Sequence, residues 1–200
     1  PHGQNIRYQL LTATTRVWRR LFREGRLNEV QSAFWKPRQP EELYDVQADP
    51  HETQNLAADP AQRKVLLRLR AALKKHLRQS GDLGLLPEGI LQDKIAGRGV
   101  PAGLLLEAAH LPVEEIESTR DLLLEPHDPR RLRASLTSRS DPAVRCWAAL
   151  GCLYRGGAVV SEMEKPLSAL LADASRSVRI AGAEALARYS EDADLRARAT

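Results

Sequence analysis

No stretch of this chain is apolar for long enough to cross a bilayer, which takes roughly 20 consecutive residues, so a membrane-spanning helix is not expected. Aromatic residues make up only 4% of the 200 residues, and no RNA- or DNA-binding motif is present, which argues against a nucleic-acid partner. There are two cysteines, Cys146 and Cys152, too few for a disulfide framework. On one helix their separation is a rise of roughly 9 Å, beyond what a disulfide tolerates, so two free, packed thiols are expected. The five histidines, His2, His51, His76, His110 and His127, are scattered without HxH or HExxH spacing and without cysteine partners, so no metal site is expected. No residue pattern names a catalytic group.

What is there is apolar and helical in character. A 42% apolar content can fill a core, and Leu, Ala, Arg and Glu dominate over β-branched and aromatic types. Charge comes in blocks. Residues 1–40 hold eight basic and two acidic groups, 41–60 six acidic and no basic ones, and 61–80 seven basic and no acidic ones. Arg16, Arg19, Arg20, Arg23 and Arg26 along one helix could bind phosphate or sulfated polysaccharide. The simpler expectation is that basic helices flanking an acidic turn neutralise it.

Residues 41–57 read Glu-Glu-Leu-Tyr-Asp-Val-Gln-Ala-Asp-Pro-His-Glu-Thr-Gln-Asn-Leu-Ala. Leu43, Tyr44 and Val46 predict a short strand, and Asp49-Pro50 a turn that ends it. Asp59-Pro60 offers a cap and a first-turn proline, after which Leu66, Leu69, Leu73 and Leu77 recur at helical spacing to about residue 79. The run itself resembles the segment E-L-Y-D-x-x-x-D-P-x-E-x-x-N-L-A that closes the C-terminal subdomain of sulfatases. Thr14 to Arg20, Gly25 to Asn28 and Ala33 to Pro37 resemble the helical insertion of bacterial sulfatases of the heparan-sulfamidase branch. Asp82 to Glu88 looks like the end of that subdomain. The likeness covers about residues 1–90.

The resemblance implies an enzyme whose nucleophile lies in C/S-x-P-x-R, is oxidised to formylglycine and sits beside calcium. Cys146 is followed by Trp147-Ala148-Ala149 and Cys152 by Leu153-Tyr154-Arg155, so neither fits that pattern. The chain opens at Pro1 and ends within a helical pattern, so it is expected to be a piece of a longer sulfatase, inactive alone. Calcium and formylglycine are implied for the intact parent only, and the missing N-terminal catalytic domain is the implied partner. His2 is the single candidate for substrate binding, because the segment upstream of this tail lies near the substrate pocket in related sulfatases. A periplasmic or extracellular location follows from the resemblance.

From Gly81 to Gly103 repeated Gly and Pro predict a connector with at most a short helix at 91–96, and a helix follows from about Val113 to Leu124. The last seventy residues repeat internally. Leu132 and Leu136, then Asp141-Pro142-Ala143-Val144-Arg145 and Ala148-Ala149, are answered by Leu167, Leu170 and Leu171, then Ser175-Arg176-Ser177-Val178-Arg179 and Gly182-Ala183. The period from Val144 to Val178 is 34 residues. This looks like HEAT repeats, with Ser175-Arg176 departing from the Asp-Pro pattern. Trp147-x-x-Leu150-Gly151-x-x-Tyr154 also satisfies the first-helix signature of a tetratricopeptide repeat, although that register puts the second helix across Pro166. Either gives an α-solenoid.

The expected fold is therefore mainly α with a small α+β remnant. Residues 1–90 would end the sulfatase C-terminal subdomain, 91–112 would link, and 113–200 would form HEAT-like helical repeats. The expected function is that of a C-terminal sulfatase fragment, its parent a sulfuric-ester hydrolase acting on sulfated polysaccharide. The alternative is a non-catalytic solenoid that serves as an interaction module.

Overall fold

Leucine, alanine and arginine dominate the windows that become helix, and the computed structural model, which describes residues 7–80, 82–99 and 111–199, is mainly helical. No strand occurs among the described residues. The chain divides into two compact units, residues 1–70 and 71–200.

In the first unit, helix α1 (Ala13–Arg23) ends before Gly25, whose φ of 66° turns the chain back. Asn28 then starts α2 (Glu29–Ser32) with a capping box, its Oδ1 accepting from Gln31 N at 2.9 Å while Gln31 Oε1 accepts from Asn28 N at 3.1 Å. Trp18, Phe22, Phe34 and Trp35 form the aromatic cluster of this unit, with ring centroids 4.9 to 6.1 Å apart. Trp18 Nε1 donates to Gln31 O at 2.9 Å, whereas Trp35 Nε1 is buried without a partner.

The strand expected at Leu43 to Val46 does not form, which removes the α+β remnant. A strand needs a ladder of backbone partners. Here Leu43 receives one backbone bond, from Leu56 N at 2.8 Å, and its own N–H goes to the Asn55 side chain at 2.9 Å. Helix α3 (Arg63–Ser80) then begins through a 3₁₀ turn at Pro60–Gln62, capped by Asp59 Oδ1 at 2.9 Å from Ala61 N, where the Asp-Pro pair predicts it. Of its leucines only Leu66 is buried, and Leu69 and Leu73 are exposed.

The second unit takes in the end of α3, a 3₁₀ turn at Leu83–Leu85, and α4 (Glu88–Arg98). Helix α4 is longer than the sequence suggests because Pro87 and Gly99 bound it rather than break it. Pro87 stands at its N-cap and Gly99 closes it at φ 63°. Leu86 and Ile90 join the core, and a Cβ on Gly89 would lie 2.5 Å from Ser177 Oγ, so a larger residue there would have to turn that hydroxyl away.

Among the described residues five longer helices, with Val160 of a short one, build the rest of the core. They are α5 (Val113–Asp121), α6 (Pro129–Leu136), α7 (Pro142–Arg155), α9 (Glu164–Leu170) and α10 (Arg176–Tyr189). Short α8 (Gly157–Glu162) and α11 (Ala193–Ala199) follow α7 and α10. Helix α6 packs on α7, α9 on α10, and α7 on α10, so two helical pairs lie side by side. Val144 and Val178 are both fully buried. The two turns differ. Asp141 caps α7 by accepting from Ala143 N at 2.8 Å, but Ser175 makes no side-chain cap, its Oγ is buried without a partner, and Asp173 Oδ1 takes the Ser175 N–H instead.

Candidate functional site

The acidic run at 41–59 is folded by its own side chains. Asp45 Oδ1 accepts from Gln47 N and Ala48 N at 3.1 and 3.2 Å. Asp49 Oδ2 accepts from Thr53 N and Gln54 N, both at 2.7 Å, and its Oδ1 from Thr53 Oγ1. Asn55 Oδ1 accepts from Leu43 N and Ala57 N, which closes the loop on itself. The Gln54 N–H, with that of Thr53, holds the Asp49 carboxyl below its usual value, while burial and Glu42 push the Tyr44 phenol up. Arg70 Nε meets Glu41 Oε2 at 3.0 Å and Arg38 meets Glu42 at 2.8 Å, so two of the six acidic groups of the run have a basic partner. Asp45, Asp49 and Asn55 are thus occupied with backbone groups. They shape a loop.

The second unit is held by ion pairs that the sequence analysis passed over. Lys74 pairs with Asp121, and Arg78 Nε lies 2.7 Å from Glu117. The signal was present, since Lys74 and Arg78 on one helix and Glu117 and Asp121 on another share the i,i+4 spacing of facing side chains. Lys94 Nζ pairs with Asp141 at 2.7 Å, joining α4 to the cap of α7.

A cleft of about 270 Å³ lies among Leu77, Leu85, Glu117, Arg120 and Trp147. Trp147 Nε1 donates to Leu85 O at 2.8 Å, Glu117 belongs to Arg78, and Arg120 Nη2 lies 3.0 Å from Asp121. Glu117 and Arg120 are thus each paired with a residue outside the cleft, and no nucleophile stands beside a base among the residues that line it.

Among the described residues no group of three or more His, Cys, Asp or Glu side chains could hold a metal ion. His2, the candidate for substrate binding, lies outside the described residues, as does His110. His127 Nε2 lies 2.8 Å from Glu162 Oε2, and His51 and His76 are exposed. Both cysteines are free and buried, and burial pushes their thiols up to about 11 for Cys146 and about 12 for Cys152. No helix among the described residues is long and apolar enough to cross a membrane.

Comparison with proteins of known activity finds two partial relatives. Over 91 residues, 45% of this chain, it is 38% identical to an ulvan-active sulfatase of Formosa agariphila, and over 61 residues, 30% of the chain, it is 43% identical to the N-sulphoglucosamine sulphohydrolase of Homo sapiens. The matched segments span only 15% and 12% of those two proteins. No family model and no solved structure matches. Part of this chain is therefore related to sulfatases.

Proposed function

We propose that this chain is the C-terminal part of a formylglycine-type sulfatase, a sulfuric-ester hydrolase acting on sulfated polysaccharide, and that a HEAT-like helical extension follows the end of its small subdomain. The single observation that carries the reading is the run Glu41 to Ala57. Its residues match the sulfatase segment, and the structure gives several of them a physical duty, with Asp45, Asp49 and Asn55 each satisfying two or more groups of one loop. Relatives named for sulfated substrates support it.

On this reading the nucleophile, the calcium and its carboxylates belong to polypeptide preceding Pro1, and this chain supplies packing and surface. The intact enzyme would work in the periplasm or outside the cell. The two helical pairs at 129–155 and 164–189, with valines buried at equivalent places, support the HEAT-like extension.

Two experiments test the proposal. The coding DNA upstream of Pro1 is expected to encode C/S-x-P-x-R and metal carboxylates, and a parent without them overturns it. The isolated 200 residues are expected to give no turnover of an aryl sulfate with or without calcium, because binding energy does not replace a missing nucleophile and metal. Turnover that survives repurification would place the chemistry in this chain and overturn the assignment.

A further inference from the structure

Helices α7 and α10 carry the same stripe of positions, and only one copy is covered. In α7, Cys146, Ala149 and Leu153 lie on one face at helical spacing and are buried, with Cys146 Sγ 3.8 Å from Ser177 O at the start of α10. Thirty-four residues on, as Val178 answers Val144, the same face of α10 holds Ile180, Ala183 and Ala187. Ile180 is 66% exposed and the two alanines are half-buried.

The charged neighbour repeats in the same way. Arg145 Nη1 donates to Ser138 O of its own turn at 2.9 Å, and its other nitrogens grip Asp173 in the next turn. Arg179 Nη1 likewise donates to Asp173 O and Ala174 O of its own turn, at 2.6 and 3.0 Å, yet it closes no ion pair among the described residues. After α10 the chain turns back in α11, which packs on α10 as α8 packs on α7.

We infer that Ile180, Ala183 and Ala187, with Arg179 beside them, form a docking surface for one further helical pair in tandem, built like residues 164–189. Its inter-helix turn carries a carboxylate for Arg179, and its second helix lies along the stripe. The inference rests on reading 129–189 as two units of one repeat. Two features that join the first helical pair to the second, an apolar stripe and an arginine that grips the carboxylate of the next turn, recur in the second pair, where the stripe is exposed at Ile180 and Arg179, bonded to carbonyls of its own turn and near Asp173, closes no ion pair among the described residues. The small side chains at 183 and 187 suit a helix that approaches as closely as α10 approaches α9, where a Cβ on Gly182 would stand 3.0 Å from Leu170 Cβ.

The test extends the protein itself. Residues 1–192 are followed by a second copy of residues 159–192, which keeps the 34-residue register. The thermal midpoint is expected to rise by about 5 °C or more, because each added interface stabilises its neighbour. Hydrogen exchange across 176–189 is expected to slow. Asp173→Asn made only in the appended copy keeps the acceptor for the Ser175 N–H but removes the charge, and it is expected to cancel at least half the gain. An unchanged midpoint, or a gain indifferent to that change, overturns the inference. So does a concentration-dependent dimer of the parent chain that Ile180→Asp abolishes, since the face would then serve a second copy. Val144→Asp and Val178→Asp in the parent chain test the underlying register separately, because each must destabilise if both valines are the buried positions of their pairs, whatever the appended copy does.

Discussion

Arg145 reaches from the first turn of α7 to Asp173, 28 residues later, with Nε 2.6 Å from Oδ2 and Nη2 3.1 Å from Oδ1. The two side chains are 17% and 9% exposed, and Arg145 also holds Ser138 O, so a single guanidinium ties together the turns of two successive helical pairs.

Removing one partner of this pair should be far worse than removing both. Asp173→Ala is expected to cost about 3 kcal/mol, since it strands a largely buried guanidinium and uncaps the Ser175 N–H. The double variant Arg145→Met, Asp173→Leu should recover much of that loss. Urea unfolding of the parent, of Arg145→Met, of Asp173→Leu and of the double variant decides it, and additive costs would mean that the pair is not coupled.

Acid should weaken the second unit in a defined window. Burial is the largest influence on Asp173 and on Asp121 and raises both, but it is outweighed by Arg145 with the Ser175 N–H at Asp173 and by Lys74 with Arg120 at Asp121. Both carboxyls end below their ordinary value of 3.8. Between the two values the folded state binds fewer protons than the unfolded chain. The stabilisation is therefore full above the ordinary value and disappears as pH falls through the lower folded-state one. Unfolding free energy is expected to be flat above about pH 5 on this account and to drop below about pH 4, less steeply in Arg145→Met.

Val144→Asp and Val178→Asp each place an unpaired charge in a fully buried position, and each is expected to cost several kcal/mol, roughly 3 to 5, enough to unfold the second unit. Arg130→Ala, at an exposed position, should stay within about 0.5 kcal/mol. Circular dichroism melts that fail to separate the two kinds of variant would show the valine register to be wrong.

Two glycines in helices should respond with opposite sign. At Gly97 a Cβ meets nothing within 4 Å, so alanine should stabilise by about 0.5 to 1 kcal/mol. At Gly182 the added carbon would stand 3.0 Å from Leu170 Cβ and 3.4 Å from Leu167 O, and overpacking of about 1 to 3 kcal/mol exceeds the helix-propensity gain. Melting temperatures of the two variants should move apart.

Helix was legible wherever capping chemistry and apolar spacing agreed, as at Asp59-Pro60 and Asp141-Pro142, both of which cap helices as expected. The strand at Leu43 to Val46 was not. β-propensity reports how a side chain fits a pleated surface and says nothing of whether a second backbone is at hand, and here Asn55 supplies the partner instead. Proline and glycine between 81 and 103 read as breakers, although two of them, Pro87 and Gly99, stand at the ends of a helix, since the same residues end elements and interrupt them. The signature in 41–57 was legible as a resemblance, but its use of carboxylates as turn caps appears only when the loop is closed. The pairing of Arg145 with Asp173 had no local signal, because 28 residues and two helices separate the partners.

The placement of the indoles gives the two units different voices. Trp18 and Trp35 sit in the aromatic cluster of the first unit, while Trp147 is the only tryptophan of the second, and it lies on α7 with its Nε1 bonded to Leu85 O. Most of the helix, by contrast, belongs to the second unit. Intrinsic fluorescence therefore listens chiefly to residues 1–70 and far-ultraviolet dichroism chiefly to residues 71–200. A denaturation curve followed by one of them alone describes one body, and coincidence of the two is what a single cooperative transition requires.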